Sequence, residues 1–372
     1  MKLNTQLFQK EVTRVVVAMS GGVDSSVAAL LLHQAGFAAV GISMQVWDYR
    51  QHGGCDSRAT CCSPDDFTDA RKVAASIGVP YYVFDFEQTF RKEVIDKFVR
   101  TYAAGETPNP CVDCNAKVKF KELRERAKAF GCSHVATGHY ARIEKTEAGF
   151  HLLRANDVDK DQSYFLYNLT QSELKETIFP IGDYTKPEVR EFAREAELAT
   201  ASKPESQDIC FVKGSVQDFL VKLGGSKPKG KLIRRDGTAL GNHEGIHAFT
   251  VGQRKGLGIG GTEVPLYVLE IRPATNEVVV GEREELEKES FKVGELTFMS
   301  PSHINIPHGT HSFEALAQVR HRHKGVKVGV NIDSGTAVVS FKEDWTAVSP
   351  GQACVFYSLD NREVLGGGRI IR

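Results

Sequence analysis

No stretch of this 372-residue chain is apolar for anything near the roughly 20 residues that span a bilayer, so no membrane-crossing helix is predicted. Net charge is missing too, because 47 basic side chains balance 47 acidic ones. An indiscriminate nucleic-acid binder would carry a positive excess, although a local basic face remains compatible with neutrality. Two clusters could form such a face or could be solvated turns: Lys227, Lys229, Lys231, Arg234 and Arg235, and the run from Arg320 to Lys324. Internal repeats and low-complexity segments are absent. The opening MKLNTQLFQKEVTR is polar and mixed in charge, unlike a signal or transit peptide, and a cytoplasmic protein is expected.

Eight cysteines are present, and in a cytosolic chain they point to metal or redox chemistry rather than to a disulfide framework. Cys132 and Cys354 sit among apolar residues and read as core fillers. Cys55, Cys61, Cys62, Cys111, Cys114 and Cys210 lie beside Gly, Pro, Asp or Asn, in stretches that read as loops.

The first half alternates strand and helix. Strands are expected at 14–19, 38–44, 81–86 and 134–137, and helices at about 23–34, 65–77, 89–103, 115–130 and 186–197. Strands separated by helices of this length mean βαβ units and a parallel sheet, an α/β domain whose ligands bind beyond the C-terminal strand ends. After residue 212 the composition shifts. A Gly-rich unit containing Phe249–Gly261 suggests a small central domain over 213–285. Short alternating strands at 293–298, 314–319, 326–332, 336–341 and 354–357 predict a C-terminal antiparallel β-barrel over 286–372, leaving 1–212 as the catalytic domain.

Ser20-Gly21-Gly22-Val23-Asp24-Ser25-Ser26 follows a strand and opens a helix. Two glycines let the backbone approach a ligand closely, and the free N–H groups of the next helix favour an anion. Ser20, Ser25 and Ser26 can donate hydrogen bonds to phosphate. The lysine of a Walker loop is absent, and Asp24 suits Mg²⁺–pyrophosphate better than bare phosphate. The bland alternative is an ordinary strand-to-helix turn.

Thr107-Pro108-Asn109-Pro110-Cys111-Val112-Asp113-Cys114-Asn115 is a stiff turn into a helix, with Cys114 expected beside the helix start, where a thiol is acidified. A second polar loop leads through Ser206-Gln207-Asp208-Ile209 to Cys210. Two thiols on separate loops suit sulfur transfer, with one carrying a persulfide and the other attacking it. Structural zinc or an iron–sulfur cluster is equally compatible with the spacing alone. The adjacent phosphate loop favours sulfur.

The motifs SGGVDSS, TPNPCVDCNAKVKF, ATGHYAR, KDQSYFLYNL, SQDICF and TVGQRKGLGI occur in this order, and together they resemble the tRNA-specific 2-thiouridylases. These are members of the N-type ATP-pyrophosphatase, or PP-loop, group with an adenine-nucleotide alpha-hydrolase-like fold. The resemblance covers essentially the whole chain. It implies ATP-dependent adenylation of the C2 oxygen of the wobble uridine in the tRNAs for Lys, Glu and Gln, with Mg²⁺ as counter-ion. Sulfur would then come from a cysteine persulfide charged by a sulfur-relay protein or a cysteine desulfurase. By motif, Ala18, Met19, Ser20, Gly21, Gly22, Val23, Asp24, Ser25, Met44 and Gly138 would bind the nucleotide. Cys210 matches the persulfide cysteine and Cys114 its partner. Asn109, Pro110 and Cys111 match the stretch lining the target base, while His139, Lys160, Asp161, Gln162, Arg320, His321 and Gln352 match tRNA contacts. A monomer is expected.

One departure matters. Some members carry Asp where this chain has Cys111, and that Asp is credited with acid–base work. Cys111 cannot replace it simply, and with Cys114 and Cys210 it offers three potential ligands for an iron–sulfur cluster. Asp113 is nearby but is not the favoured substitute. Cys55, Cys61 and Cys62 have no assigned role. A PP-loop synthetase making argininosuccinate or an amide would need no paired cysteines, and a non-catalytic RNA binder would need no phosphate loop. Neither accounts for both features.

Overall fold

The computed structural model describes residues 14–47, 64–205, 209–212, 214–223, 229–261, 263–303, 311–342, 345 and 347–372. Cys55, Cys61 and Cys62 lie outside the described residues, as do Ser206, Gln207 and Asp208 of the second cysteine loop.

The first unit is built on a five-stranded parallel sheet. Its strands are β1 (Arg14–Ala18), β2 (Ala38–Gln45), β3 (Tyr81–Asp85), β4 (His134–Thr137) and β7 (Thr177–Ile178), in the order β3-β2-β1-β4-β7. The central strand β1 explains itself: its β-branched Val15, Val16 and Val17 are fully buried, as a strand covered on both faces requires. Val15 and Val17 join the core on one face, with α1 (Val23–Gln34), α2 (Pro64–Ser76) and α8 (Lys186–Glu195). Val16 joins the core on the other face. There the covering helices are α3 (Glu87–Phe90), α4 (Asp96–Ala103) and α6 (Leu123–Ala129), while Val112 of α5 (Pro110–Asp113) packs in a separate cluster toward the barrel. A π-helical turn at Arg91–Ile95 joins α3 to α4, and another at Cys114–Glu122 joins α5 to α6. The helix at 115–130 therefore begins earlier than its sequence suggested, at Pro110, because proline is preorganised for a first helical turn.

A hairpin of β5 (Ala141–Lys145) and β6 (Phe150–Arg154), followed by α7 (Gln171–Lys175), leads out of the sheet toward the C-terminal unit. Beyond α9 (Val216–Lys222) comes a four-stranded sheet where the sequence had suggested only a Gly-rich unit. It contains β8 (Gly230–Ile233), β9 (Ala239–His243), β10 (Tyr267–Arg272) and β11 (Glu277–Gly281).

The C-terminal unit is a closed antiparallel barrel of β12 (Ser290–Phe298), β13 (His311–Gln318), β14 (Val326–Asp333), β15 (Thr336–Phe341), β16 (Ala353–Tyr357) and β17 (Val364–Ile371). Strand β17 was not legible in the sequence, since glycine is depleted in strands and this one contains Gly366-Gly367-Gly368. The close approach of its neighbours explains the composition. A Cβ at Gly367 would lie 2.5 Å from the Cys354 carbonyl oxygen, and one at Gly368 would lie 2.4 Å from that of Gly294. No described helix is long and apolar enough to cross a membrane.

Candidate active site

The phosphate loop leaves the C-terminal end of β1, where ligands of parallel sheets bind. Gly21 has φ +74°, and a Cβ there would lie 2.3 Å from the Asp66 carbonyl oxygen, so the turn needs glycine. The serines are less available than the sequence suggested. Ser25 Oγ donates to the Gly22 carbonyl at 3.1 Å and accepts from the Ser20 N–H at 3.1 Å, while Ser26 Oγ donates to Gly22 at 2.8 Å. Ser25 and Ser26 are buried braces of the loop, and Ser20 is exposed. No side chain caps α1, leaving its first-turn N–H groups for an anion. Gly138, at the end of β4, packs against the same turn, since a Cβ there would meet the Ser25 nitrogen at 2.7 Å. Ala18, Met19, Val23 and Met44 lie in or beside the core at these strand ends.

The cation missing from the loop arrives from α8. Lys186, its side chain 8% exposed, places Nζ 2.6 and 2.8 Å from the two carboxylate oxygens of Asp24. Tyr140 Oη donates to Asp24 at 2.9 Å, and burial together with that carboxylate pushes its phenol pKa far up. Lys186 also meets Glu205 Oε1 at 3.0 Å, and Glu205 Oε2 takes Lys160 at 2.7 Å. Burial pushes the Glu205 carboxyl up, but the hydrogen bonds from Lys160 and Lys186 outweigh it and hold the group below the usual glutamate range. The loop mouth thus carries the alternating row Asp24, Lys186, Glu205, Lys160. None of Lys186, Tyr140 and Glu205 was singled out from sequence. The capping box of Thr185 and Glu188 marks the helix start beside Lys186, but no local pattern says which site that lysine faces.

The cysteine turn is held by all three units. Thr107 N–H donates to Pro350 at 2.8 Å, and Thr107 Oγ1 donates to Thr250 Oγ1 of the Gly-rich unit at 3.2 Å. Gln352 Nε2 donates to the carbonyls of Thr107 and Pro108 at 3.2 and 3.1 Å. Beyond the turn, Asn115 donates from Nδ2 to the Phe165 carbonyl at 3.1 Å. Because α5 starts at Pro110, Cys114 sits one turn inside the helix rather than beside its start, and Cys111 occupies the dipole-favoured first turn. Cys111 is exposed, while Cys114 and Cys210 are half-buried. Both Cys114 and Cys210 pack against one apolar cluster that includes Phe90, Phe98, Phe211 and Met44.

Asn109 and Pro110 part from Cys111. Pro110 is buried, and Asn109 lines a 340 Å³ cavity together with Val112, Asp113, Lys97, Glu295 and Arg369. Among the described residues no cysteine and no phosphate-loop residue borders that cavity, which lies between the cysteine helix and the barrel. Asp113 pairs with Lys97 at 2.8 Å, yet burial raises its pKa beyond what that lysine recovers. Among the described residues no three Cys, His, Asp or Glu side chains gather as metal ligands. Cys111, Cys114 and Cys210 are therefore not gathered as one ligand set among the described residues.

The expected RNA contacts divide into two kinds. Arg320 and His321 are exposed on the turn after β13, where the His321 ring lies 4.5 Å from that of Phe165. Lys160 and Gln162 are half-buried, with Gln162 accepting the Tyr140 N–H at 3.0 Å. His139 and Asp161 are buried instead. His139 hydrogen-bonds Thr137 at 2.7 Å between Phe120 and Phe179, and burial, with Lys119 adding to it, lowers its pKa well below an ordinary histidine's. Asp161 takes Arg154 Nη1 at 2.6 Å, the Ala155 N–H at 2.9 Å and Ser163 Oγ at 2.8 Å. Arg154 in turn stacks 3.6 Å from the Tyr357 ring centre and donates to Gln318, whose amide holds the Arg320 and His321 carbonyls. Asp161 therefore reaches the exposed turn through protein side chains, and Gln352 grips the cysteine turn.

Comparison with known proteins is consistent along the whole chain. Residues 13–214 match a family profile described as a tRNA methyl transferase HUP domain, and 217–282 match the corresponding PRC-barrel domain. Residues 288–370 match an aminomethyltransferase β-barrel domain. The tRNA-specific 2-thiouridylase MnmA of Geobacter metallireducens is 48% identical over 368 residues, covering 97% of this chain and 98% of that protein. Its namesake in Parvibaculum lavamentivorans is 45% identical over 370 residues, covering 97% and 92%. That of Roseiflexus castenholzii is 43% identical over 383 residues, covering 96% and 99%.

Proposed function

The chain belongs to the tRNA-specific 2-thiouridylase family, and from that premise we propose that it thiolates the wobble uridine of tRNA by adenylation followed by persulfide transfer. The target base leaves its stack, which costs a few kcal/mol and least in an anticodon loop. Its C2 oxygen attacks the α-phosphorus of ATP, and pyrophosphate departs into the loop at Ser20–Asp24. Lys186 and the first-turn amides of α1 face the developing charge, stabilising it by position rather than by covalent chemistry. Asp24, whose oxygens are held by Lys186 and Tyr140, is the carboxylate that would hold Mg²⁺, and the ion would offset phosphate charge.

Cys210 carries the outer sulfur. The Cys114 thiolate attacks Cys210 Sγ, the persulfide S–S bond breaks, and the released sulfur bonds to C2 while AMP leaves with the former oxygen. The two thiols end as a disulfide, which needs two electrons from an external thiol reductant. The observation that supports this reading is that Cys114 and Cys210 pack against the same apolar cluster as Met44, which lies near the end of β2. Apolar walls exclude water that would hydrolyse an adenylated base. Arg320 and His321, exposed on the turn after β13, and the half-buried Lys160 would meet the anticodon arm.

The test is thiolation of tRNA bearing an unmodified wobble uridine, with ATP–Mg²⁺ and a persulfide-generating desulfurase, on anaerobically purified protein of measured iron and zinc content. Cys210→Ser should keep tRNA-dependent pyrophosphate release and lose thiolation. Thiolation by that variant, or activity confined to iron-loaded protein, refutes the persulfide route.

A further inference from the structure

The turn after β13 is joined to the catalytic unit by one buried amide. Gln318 closes that strand and is 3% exposed. Its Nε2 donates to the His321 carbonyl at 2.6 Å and to that of Arg320 at 3.3 Å, while its Oε1 accepts from Arg154 Nη2 at 2.8 Å. The amide can face only one way. Guanidinium nitrogens only donate and carbonyls only accept, so Arg154 takes the oxygen and the turn takes the nitrogen. Arg154 is engaged on its other sides as well. Its Nε donates to Asn361 Oδ1 at 3.0 Å, its Nη1 donates to Asp161 Oδ2 at 2.6 Å, and its Cζ lies 3.6 Å from the Tyr357 ring centre. Other contacts act elsewhere in the turn: the His323 N–H donates to the Arg320 carbonyl at 3.0 Å within it, while Phe165 and the Asp161 carbonyl meet the His321 ring. Gln318 joins the main chain of both residues to an arginine 164 positions away.

We propose that Gln318 is a positioning residue for tRNA binding, setting the main chain of the turn so that the exposed Arg320 and His321 present one orientation to the anticodon arm. Two carbonyls held by one planar amide do not rotate independently. The turn is therefore ordered before RNA arrives, and the complex does not bear that ordering cost. Gln318 lies buried beneath the two side chains and acts through them rather than on the RNA. The inference rests on the reading of Arg320 and His321 as RNA-facing groups.

The experiment is equilibrium binding of tRNA bearing an unmodified wobble uridine to the full chain, at one salt concentration because phosphate contacts make affinity salt-dependent. Gln318→Glu keeps the size and the acceptor for Arg154 and removes both donors. Gln318→Met removes donors and acceptor together and adds no charge to repel RNA. Each should raise the tRNA Kd about fivefold, the loss of an ordinary hydrogen bond, and should raise KM for tRNA with little change in kcat. Binding of a non-hydrolysable ATP analogue to the same samples should not move, whereas a general weakening of the fold would lower both. In an Arg320→Ala/His321→Ala background, Gln318→Met should change the tRNA Kd by less than about twofold, because residues that act through one another are not additive. Should the methionine variant fail to fold, Gln318→Glu in the same two backgrounds carries the comparison, since its charge is present in both. The proposal is overturned if Gln318→Met binds tRNA like the unaltered protein, which would assign any loss in Gln318→Glu to charge. It is also overturned if the substitution at 318 keeps its full effect without the Arg320 and His321 side chains, or if analogue binding weakens in step. Unchanged tRNA binding by Arg320→Ala/His321→Ala would sink the RNA-facing reading of the turn and this role with it. Weakened binding there, with none at 318, would leave that reading standing and overturn the positioning role alone.

Discussion

Gly351→Ala is the perturbation that tests whether the barrel builds the active site rather than merely accompanying it. Gly351 has φ +93°, and a Cβ there would lie 2.8 Å from the Thr107 carbonyl oxygen and 2.9 Å from the Thr107 nitrogen. The left-handed backbone costs a non-glycine residue about 1–2 kcal/mol. The crowding adds about 1–3 kcal/mol, because the atoms that must yield are main chain rather than a flexible side chain. Gly335→Ala isolates the first cost, since Gly335 has φ +80° with nothing within 4 Å of its Cβ position. Gly351→Ala should therefore melt below Gly335→Ala by a few degrees, at roughly 2 °C per kcal/mol for a chain of this size. The functional effect should be larger than the stability effect. Thr107 enters the helix that carries Cys114 within a few residues, and a displacement near 1 Å at a reacting group costs about 100-fold in rate. The assay pairs thermal unfolding with single-turnover thiolation of tRNA. If Gly351→Ala thiolates within about twofold of Gly335→Ala, the contact between barrel and cysteine turn is not part of the catalytic geometry, and the reasoning fails.

Three further outcomes are expected. Lys186→Met should lower tRNA-dependent pyrophosphate release by about 100- to 1,000-fold, the effect of losing one preorganised electrostatic group, with thiolation falling in parallel; unchanged release would remove Lys186 from the phosphate site. Arg154→Met strands Asp161, whose side chain is 4% exposed, and should cost about 3–5 kcal/mol in denaturant unfolding. Adding Asp161→Asn should recover much of that loss, and no recovery would mean the stacking of Arg154 on Tyr357 dominates instead. Glu205 sets a pH dependence: its carboxyl is held below the usual glutamate range by Lys160 and Lys186, so its stabilisation is present above that range and is lost as pH falls through the depressed folded value. The stability gap between the unaltered protein and Glu205→Gln should be constant from pH 5 to 7 and close in more acidic buffer; a gap that widens there would reverse the sign of the argument.

The parts of this protein that depend on local pattern were legible from its residues alone. Val15–Val17 announce a strand buried on both faces, because β-branched side chains suit an extended backbone with no solvent side. Ser20–Ser26 announce an anion-binding turn, because glycine pairs before a helix leave amides free. The order of six motifs carried the family. What was misplaced follows from local ambiguity: Pro110 could end a loop or begin a helix, and the choice moved Cys114 from the helix start to its second turn. Strand β17 was hidden because its glycines serve close main-chain packing rather than strand propensity.

Only the tertiary structure decided which distant groups meet. Lys186 lies 162 positions from Asp24, and the two oppose each other because α8 packs against α1 on the same face of the sheet. Gln352 and Gly351 grip Thr107 from a separate barrel, and Asp161 is buried against Arg154. A sequence reports what a residue can donate or accept, through its chemistry and its immediate neighbours. Which partner receives that bond depends on long-range packing, where burial removes water and leaves each charged group dependent on whatever side chain the fold brings beside it.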